Sequence, residues 1–183
     1  TTHHLSSMAV MDASHLILAS LSSVTVLHVN KQGRLERCIP EFVLNSQISC
    51  LELNEKLLVV GTYQGDVHLY DRSTWSELPA SSPLSLASLT KDITDLSVHT
   101  PESLRLLSGP NGESRLACGL RHGVLCVIEL SHGTLCLSKR LGVRPVHILS
   151  STAHHGILLS SNTSWLLSPS GDQCHPLDYA CID

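Results

Sequence analysis

Hydrophobic and polar positions repeat one arrangement four times along this chain: an apolar run ending in small residues, a short polar turn, and a second apolar run. The segments read HLILASLSSVTVLHVN at 15–30, KLLVVGTYQGDVHLYD at 56–71, RLACGLRHGVLCVIEL at 115–130 and GILLSSNTSWLLSPS at 156–170. Short apolar runs rich in branched side chains around turn residues predict antiparallel β-hairpins. Gly65, Gly123 and Gly133 each follow a polar residue at the turn, where a positive φ is needed. Aligning Ser20, Gly61, Gly119 and Ser161 gives spacings of 41, 58 and 42 residues. Two of the three match the ~40–45 residues of a propeller blade.

Each hairpin is flanked by a further apolar run on either side. Those before it lie at 8–11, 48–53, 93–98 and 146–149, and those after it at 35–39, 75–78, 134–141 and 173–177. Four strands per repeat predict an all-β, WD40-like β-propeller segment of about four four-stranded antiparallel blades, over approximately 5–44, 48–90, 93–144 and 145–183. Inner strands that are apolar on both faces fit sheets covered by neighbours on each side. The long interval holds two loop insertions on this reading, the Ser-rich 81–90 and SGPNGES at 108–114. A helix over 82–98 is the rival there, disfavoured by Ser and β-branched residues. Four blades do not close the usual ring, so the chain reads as a fragment of a larger propeller, of seven blades. The remaining blades then come from a longer chain or a partner.

Composition narrows the class. Apolar residues make up 42% and charged residues 15% of 183, with mean hydropathy +0.14, which excludes a disordered tail. Aromatics are only 3%, so Leu, Val and Ile must build the core. Twelve basic against sixteen acidic residues argue against wrapping a polyanion by bulk charge. No apolar run is long enough for a transmembrane helix and no signal-peptide pattern opens the chain, so a soluble protein without membrane partners is expected. Seven cysteines, mostly inside apolar runs, fit small hydrophobes in a reducing compartment.

The last two repeats carry a more specific pattern: Gly119-Leu120, His122-Gly123-Val124-Leu125, Leu141-Gly142 with Arg144-Pro145-Val146, Ser164-Trp165-Leu166, and Pro176-Leu177 with Tyr179. Over 116–181 these resemble the triple β-propeller family that includes the A subunit of cleavage and polyadenylation specificity factor, subunit 3 of splicing factor 3b and the large damaged-DNA-binding subunit. The resemblance places the segment in the second propeller. It implies a nuclear, non-enzymatic scaffold holding protein subunits in a complex of RNA processing or of ubiquitin-ligase and DNA-repair type. Asn162-Thr163 departs from the family's Ser-Arg before the tryptophan.

Chemistry-bearing residues form no catalytic signature. Twelve His and seven Cys lack the paired spacing of a structural zinc site, and no nucleophile elbow or P-loop is present. No cofactor, metal or small-molecule substrate is expected. A catalytic propeller would draw on Glu52, Asp95 and His147 of the innermost strands. Residues 105–144 hold six of the basic residues against two acids, and Arg121, Lys139, Arg140 and Arg144 are the candidate contacts for an acidic partner or for weak nucleic-acid binding. Trp75 is the candidate rim contact, and Trp165 the core-filling aromatic. The alternatives to a nuclear scaffold are a direct nucleic-acid-binding propeller of the same family and an unrelated WD40-like cytoplasmic scaffold.

Overall fold

Each of the four apolar hairpins forms the middle of its own antiparallel sheet in the computed structural model, which describes residues 5–12, 14–39, 41–78, 82–90, 99–150 and 157–177. The first sheet consists of β1 (Leu5–Val10), β2 (His15–Ser20), β3 (Ser23–Val29) and β4 (Leu35–Arg37), with β5 (Phe42–Val43) also on β3. The second contains β6 (Ile48–Leu53), β7 (Leu57–Thr62) and β8 (Asp66–Asp71), then β9 (Ser76–Glu77) and β10 (Leu84–Ser85), both on β8. A single-turn helix α1 (Leu86–Leu89) follows. The third sheet runs β11 (Pro101–Ser108), β12 (Ser114–Leu120), β13 (Val124–Glu129), β14 (Thr134–Arg140). The fourth runs β15 (His147–Ser150), β16 (Ile157–Ser160), β17 (Ser164–Leu167), β18 (Cys174–Pro176).

Strand pleat explains why the runs are apolar on both faces. Successive side chains point to opposite sides of a sheet. On β7, Leu58 and Val60 enter a buried cluster with Ile17, Val24 and Val26 of the first sheet, while Val59 joins a second cluster with Leu116 and Cys118 of the third. On β12 and β13, Leu116, Cys118, Cys126 and Ile128 face the second sheet, whereas Ala117, Leu125 and Val127 meet Leu159 and Leu167 of the fourth. Three cores thus bind four sheets in chain order. The first strands carry the same order inward, β6 touching β1 and β11, and β11 touching β15.

Acceptors near the start of the turn between third and fourth strands secure it in all four sheets. Asn30 Oδ1 accepts the Gln32 and Arg34 N–H groups at 2.9 and 3.0 Å. Asp71 Oδ1 accepts the Ser73 and Thr74 N–H groups at 2.7 and 3.2 Å. Glu129 Oε1 holds His132 Nδ1 at 2.9 Å, and Ser168 Oγ accepts the Asp172 and Gln173 N–H groups at 3.1 Å each. These local bonds are the turn chemistry expected of Asn, Asp and Ser.

Three expectations change. The segment 108–114 is not an insertion: Gly109 N–H donates to the Glu113 carbonyl at 2.7 Å, closing the tight β11–β12 hairpin. Within 81–90, β10 and α1 replace the expected loop, because Leu86 is fully buried and anchors the segment. The outer strand of the second sheet is consequently split, and Ser82 Oγ accepts the Leu69 N–H at 3.1 Å in the gap. The strand read at 93–98 lies outside the described residues; the strand that pairs with β12 is β11.

Both ends of the stack present an uncovered apolar sheet face. Met8 and Val10, 56% and 68% exposed, share the outward side of the first sheet with Leu16, Leu18 and Leu27. Leu149, 49% exposed, lies on the outward side of the fourth. The isolated chain is therefore expected to associate as its concentration rises. Sedimentation velocity should show this, and Leu18→Asp with Leu27→Asp should weaken it; a monomer across the whole range would refute the expectation. Inside the stack, Gly119→Ala would drive a Cβ against the Val146 carbonyl and the Ser103 Oγ. A cost of about 1–3 kcal/mol is expected in a denaturant melt.

Candidate partner-binding face

The turns between second and third strands all emerge on one face of the stack, together with the linkers between sheets. Their first residues are Leu21, Tyr63, Arg121 and Ser161. The linkers hold these turns rigidly. Tyr63 N–H donates to the Gln47 carbonyl at 2.9 Å, and Arg121 N–H to the Thr100 carbonyl at 3.0 Å. Thr100 Oγ1 donates to the Tyr63 carbonyl at 3.0 Å. Asn162 Oδ1 accepts the Val143 and Arg144 N–H groups at 2.6 and 3.1 Å, which pins the third linker to the fourth sheet's turn.

On this frame Arg121 Nε donates to Glu102 Oε1 at 2.5 Å, and its guanidinium carbon lies 5.1 Å from the Tyr63 ring centroid. Arg140 reaches the His122 carbonyl at 3.1 Å. Val143 is 71% exposed beside Arg144. Neither Arg140 nor Arg144 has an acidic partner among the described residues, so their charges face solvent.

Of the four basic residues singled out from sequence, three therefore meet on one face. Lys139 does not: its Nζ donates to the Cys174 carbonyl at 2.6 Å and sits 5.0 Å from the Trp165 ring centroid. It is a clasp between the third and fourth sheets, because strand alternation sends it to the side opposite Arg140. Trp165 packs against that same core, as read from sequence. Trp75 is half-buried at the seam between the first two sheets, beside Phe42 and Ile39. Sequence reading missed Tyr63 and Val143; the position of Tyr63 one residue past β7, matching Arg121 one residue past β12, is the signal that identifies it.

Of the residues considered for catalysis, Glu52 lies between the second and third sheets. Glu52 Oε1 accepts the Leu106 N–H at 3.3 Å and faces Arg105 at 3.6 Å, with burial raising its carboxyl above the usual range. His147 lies exposed on the outermost sheet, and Asp95 falls outside the described residues. Cys118 and Cys126 face each other across the β12–β13 hairpin. Burial pushes the Cys126 thiol up to about 11 and that of Cys50 up to about 12, so both stay protonated at neutral pH.

The sequence that builds these four antiparallel sheets matches the family model of the RSE1/DDB1/CPSF1 second beta-propeller over residues 4–180. The chain belongs to that family. Its propeller fold is also similar to the crystal structure of the computationally designed Ika4 protein, at TM-score 0.60 and 13% identity over 92% of each chain. That similarity concerns the fold alone. Among curated protein sequences no relative matches. No helix among the described residues of the propeller is long and apolar enough to cross a membrane.

The raised Glu52 carboxyl gives a pH signature. A carboxyl whose folded pKa exceeds its unfolded value costs stability above the folded pKa and nothing below the unfolded one. Glu52→Gln, which keeps an acceptor for Leu106, is expected to melt at a higher temperature than the parent at pH 7. The difference should vanish below about pH 4; an equal or lower melting temperature at neutral pH would contradict it.

Proposed function

We propose that this propeller is a non-enzymatic scaffold that binds an acidic protein partner through the face bearing Tyr63, Arg121, Arg140, Val143 and Arg144. The observation that carries this reading is the pair Arg140 and Arg144, without an acidic partner among the described residues, beside exposed Val143 on a linker fixed by Asn162. Arginine and aromatic anchors around an apolar centre are the composition of interaction hot spots. The rigid turns lower the ordering cost of association. Family membership supports a scaffold role, and a nuclear complex of RNA-processing or ubiquitin-ligase type is the setting in which we place it.

A protein partner is favoured over nucleic acid. The net charge of −4 opposes a polyanion. One face of the Tyr63 ring is already taken by Arg121, and no second aromatic is interleaved there to stack on bases. Affinity purification of the chain from nuclear extract, repeated with Arg140→Ala and Arg144→Ala combined, tests the reading. The expected outcome is a partner set lost in the double variant, with association slowed by salt. Titration with single- and double-stranded DNA and RNA is the control. Micromolar binding with a log–log salt slope of about −0.7 to −0.9 per phosphate contact, abolished by the same variant, would replace the protein partner with nucleic acid.

A further inference from the structure

The hairpin in the middle of each sheet ends on a cross-strand pair whose chemistry differs from repeat to repeat. Leu57 is opposite Asp71 in the second sheet, Arg115 opposite Glu129 in the third, and Ile157 opposite Leu167 in the fourth. In the first sheet His15 of β2 is opposite His28 of β3, with ring centroids 4.9 Å apart and planes tilted by 49°. Two imidazoles side by side repel whenever both are protonated, so the pair is a poor choice for cohesion alone. Its surroundings supply what metal-binding histidines need.

A carboxylate already orients one of the two rings. His15 Nδ1 lies 3.0 Å from both Oδ1 and Oδ2 of Asp12. The Ser14 N–H, then His15 and the Ser14 hydroxyl, hold the Asp12 carboxyl well below the usual carboxylate range, so it only accepts hydrogen bonds. The Nδ1 proton therefore points to Asp12, and in the neutral ring Nε2 keeps its lone pair. This is the carboxylate–histidine arrangement that fixes tautomer and ring direction at metal centres. The turn itself uses only Asp12, which accepts the Ser14 and His15 N–H groups at 2.8 and 2.9 Å.

A third donor lies in the same lateral row. Glu36 of β4 is opposite His28, and directly opposed strand residues hold their Cβ atoms about 4.5–5.5 Å apart. Ile17 and Val26 enter the core toward the second sheet, and alternation from them puts His15, His28 and Glu36 on that same side. The row lies past the end of that core: the His15 side chain is 30% exposed, and Glu36 is exposed. As the side chains stand, no three His, Cys, Asp or Glu groups converge on one point among the described residues. Glu36 Oε1 is held by Asn30 Nδ2 at 2.6 Å. That bond lies at the surface, and its release lets the carboxylate turn toward His28.

We propose that this row binds one zinc-like divalent ion through His15 Nε2, a ring nitrogen of His28 and the Glu36 carboxylate, with water completing the shell and Asp12 positioning His15. Two imidazoles and a carboxylate suit Zn²⁺ over hard ions. The ion ties β4, whose three residues are all exposed, to β2 and β3. The row sits at the strand ends away from the arginine-bearing turns, so the inference does not rest on the partner reading. Zn²⁺, with Mg²⁺ as the hard-ion control, is titrated into the ¹⁵N-labelled chain by calorimetry and by long-range ¹H–¹⁵N spectra of the histidine rings, assigned with His15→Gln and His28→Gln. The expected result is one ion per chain and no response to Mg²⁺. The His15 and His28 rings should shift together at concentrations at least about tenfold below those that move the exposed His132 and His175. His28→Gln and Glu36→Gln should each weaken binding at least about tenfold. Asp12→Asn, which keeps an acceptor for the turn, should weaken it by about tenfold while the His15 ring loses its single-tautomer ¹⁵N pattern. Glu36 is exposed, so its variant reads binding without disturbing the core. All exposed histidines responding together would mean an adventitious ion only. That outcome, equal binding of Mg²⁺, or a Glu36→Gln chain that binds Zn²⁺ like the parent would each overturn the proposal.

Discussion

The inner strands of the second and third sheets each serve two cores at once, and the rest of the structure follows from that sharing. Val59 and its neighbours Leu58 and Val60 on β7 leave for opposite clusters, as do Ala117 and its neighbours on β12. Each fully buried side chain of this size contributes about 1.5–3 kcal/mol. A sheet with both faces committed in this way has no surface to offer a ligand. Recognition is left to the turns, the linkers and the outer seams, where loops carry function on a rigid support.

Rigidity at those places is local in origin. Polar side chains secure the outer turns, and linker carbonyls receive the first N–H groups of the inner turns of the second and third sheets. Gly123 illustrates the limit: at φ +78° its absent Cβ leaves room for the Gly142 carbonyl, so the turn and the next linker close on each other. The same packing that fixes the turn presents Val143 and Arg144 outward. Only a few side chains then decide what the face recognises.

Aromatic–cation pairs fasten the seams that the aliphatic cores leave open at their rims. Tyr63 with Arg121 and Trp165 with Lys139 bridge neighbouring sheets, each half-exposed contact adding about 0.5–1 kcal/mol. Trp75 lacks such a cover among the described residues, and the first seam is also where both flanking outer strands are interrupted. Polar groups inside the stack serve cohesion instead: Glu52 receives the Leu106 N–H, and the Cys50, Cys118 and Cys126 side chains fill a core as apolar groups would.

Sequence by itself determined the repeat. The four hairpins, their glycine turns and the two-faced apolar strands were legible because pleat alternation and left-handed turns demand particular residue types at short range. The basic character of 105–144 was equally plain. What tertiary structure decided was assignment to sides. Adjacent residues 139 and 140 differ only by the pleat, yet Lys139 closes a seam while Arg140 faces solvent. The role of 108–114 as a hairpin depended on β11 reaching Ser108, which β12 selects as its partner. Trp75 showed its company with Phe42 and Ile39 only once two sheets were stacked, because contacts between repeats follow from the relative placement of whole sheets, which no local pattern encodes.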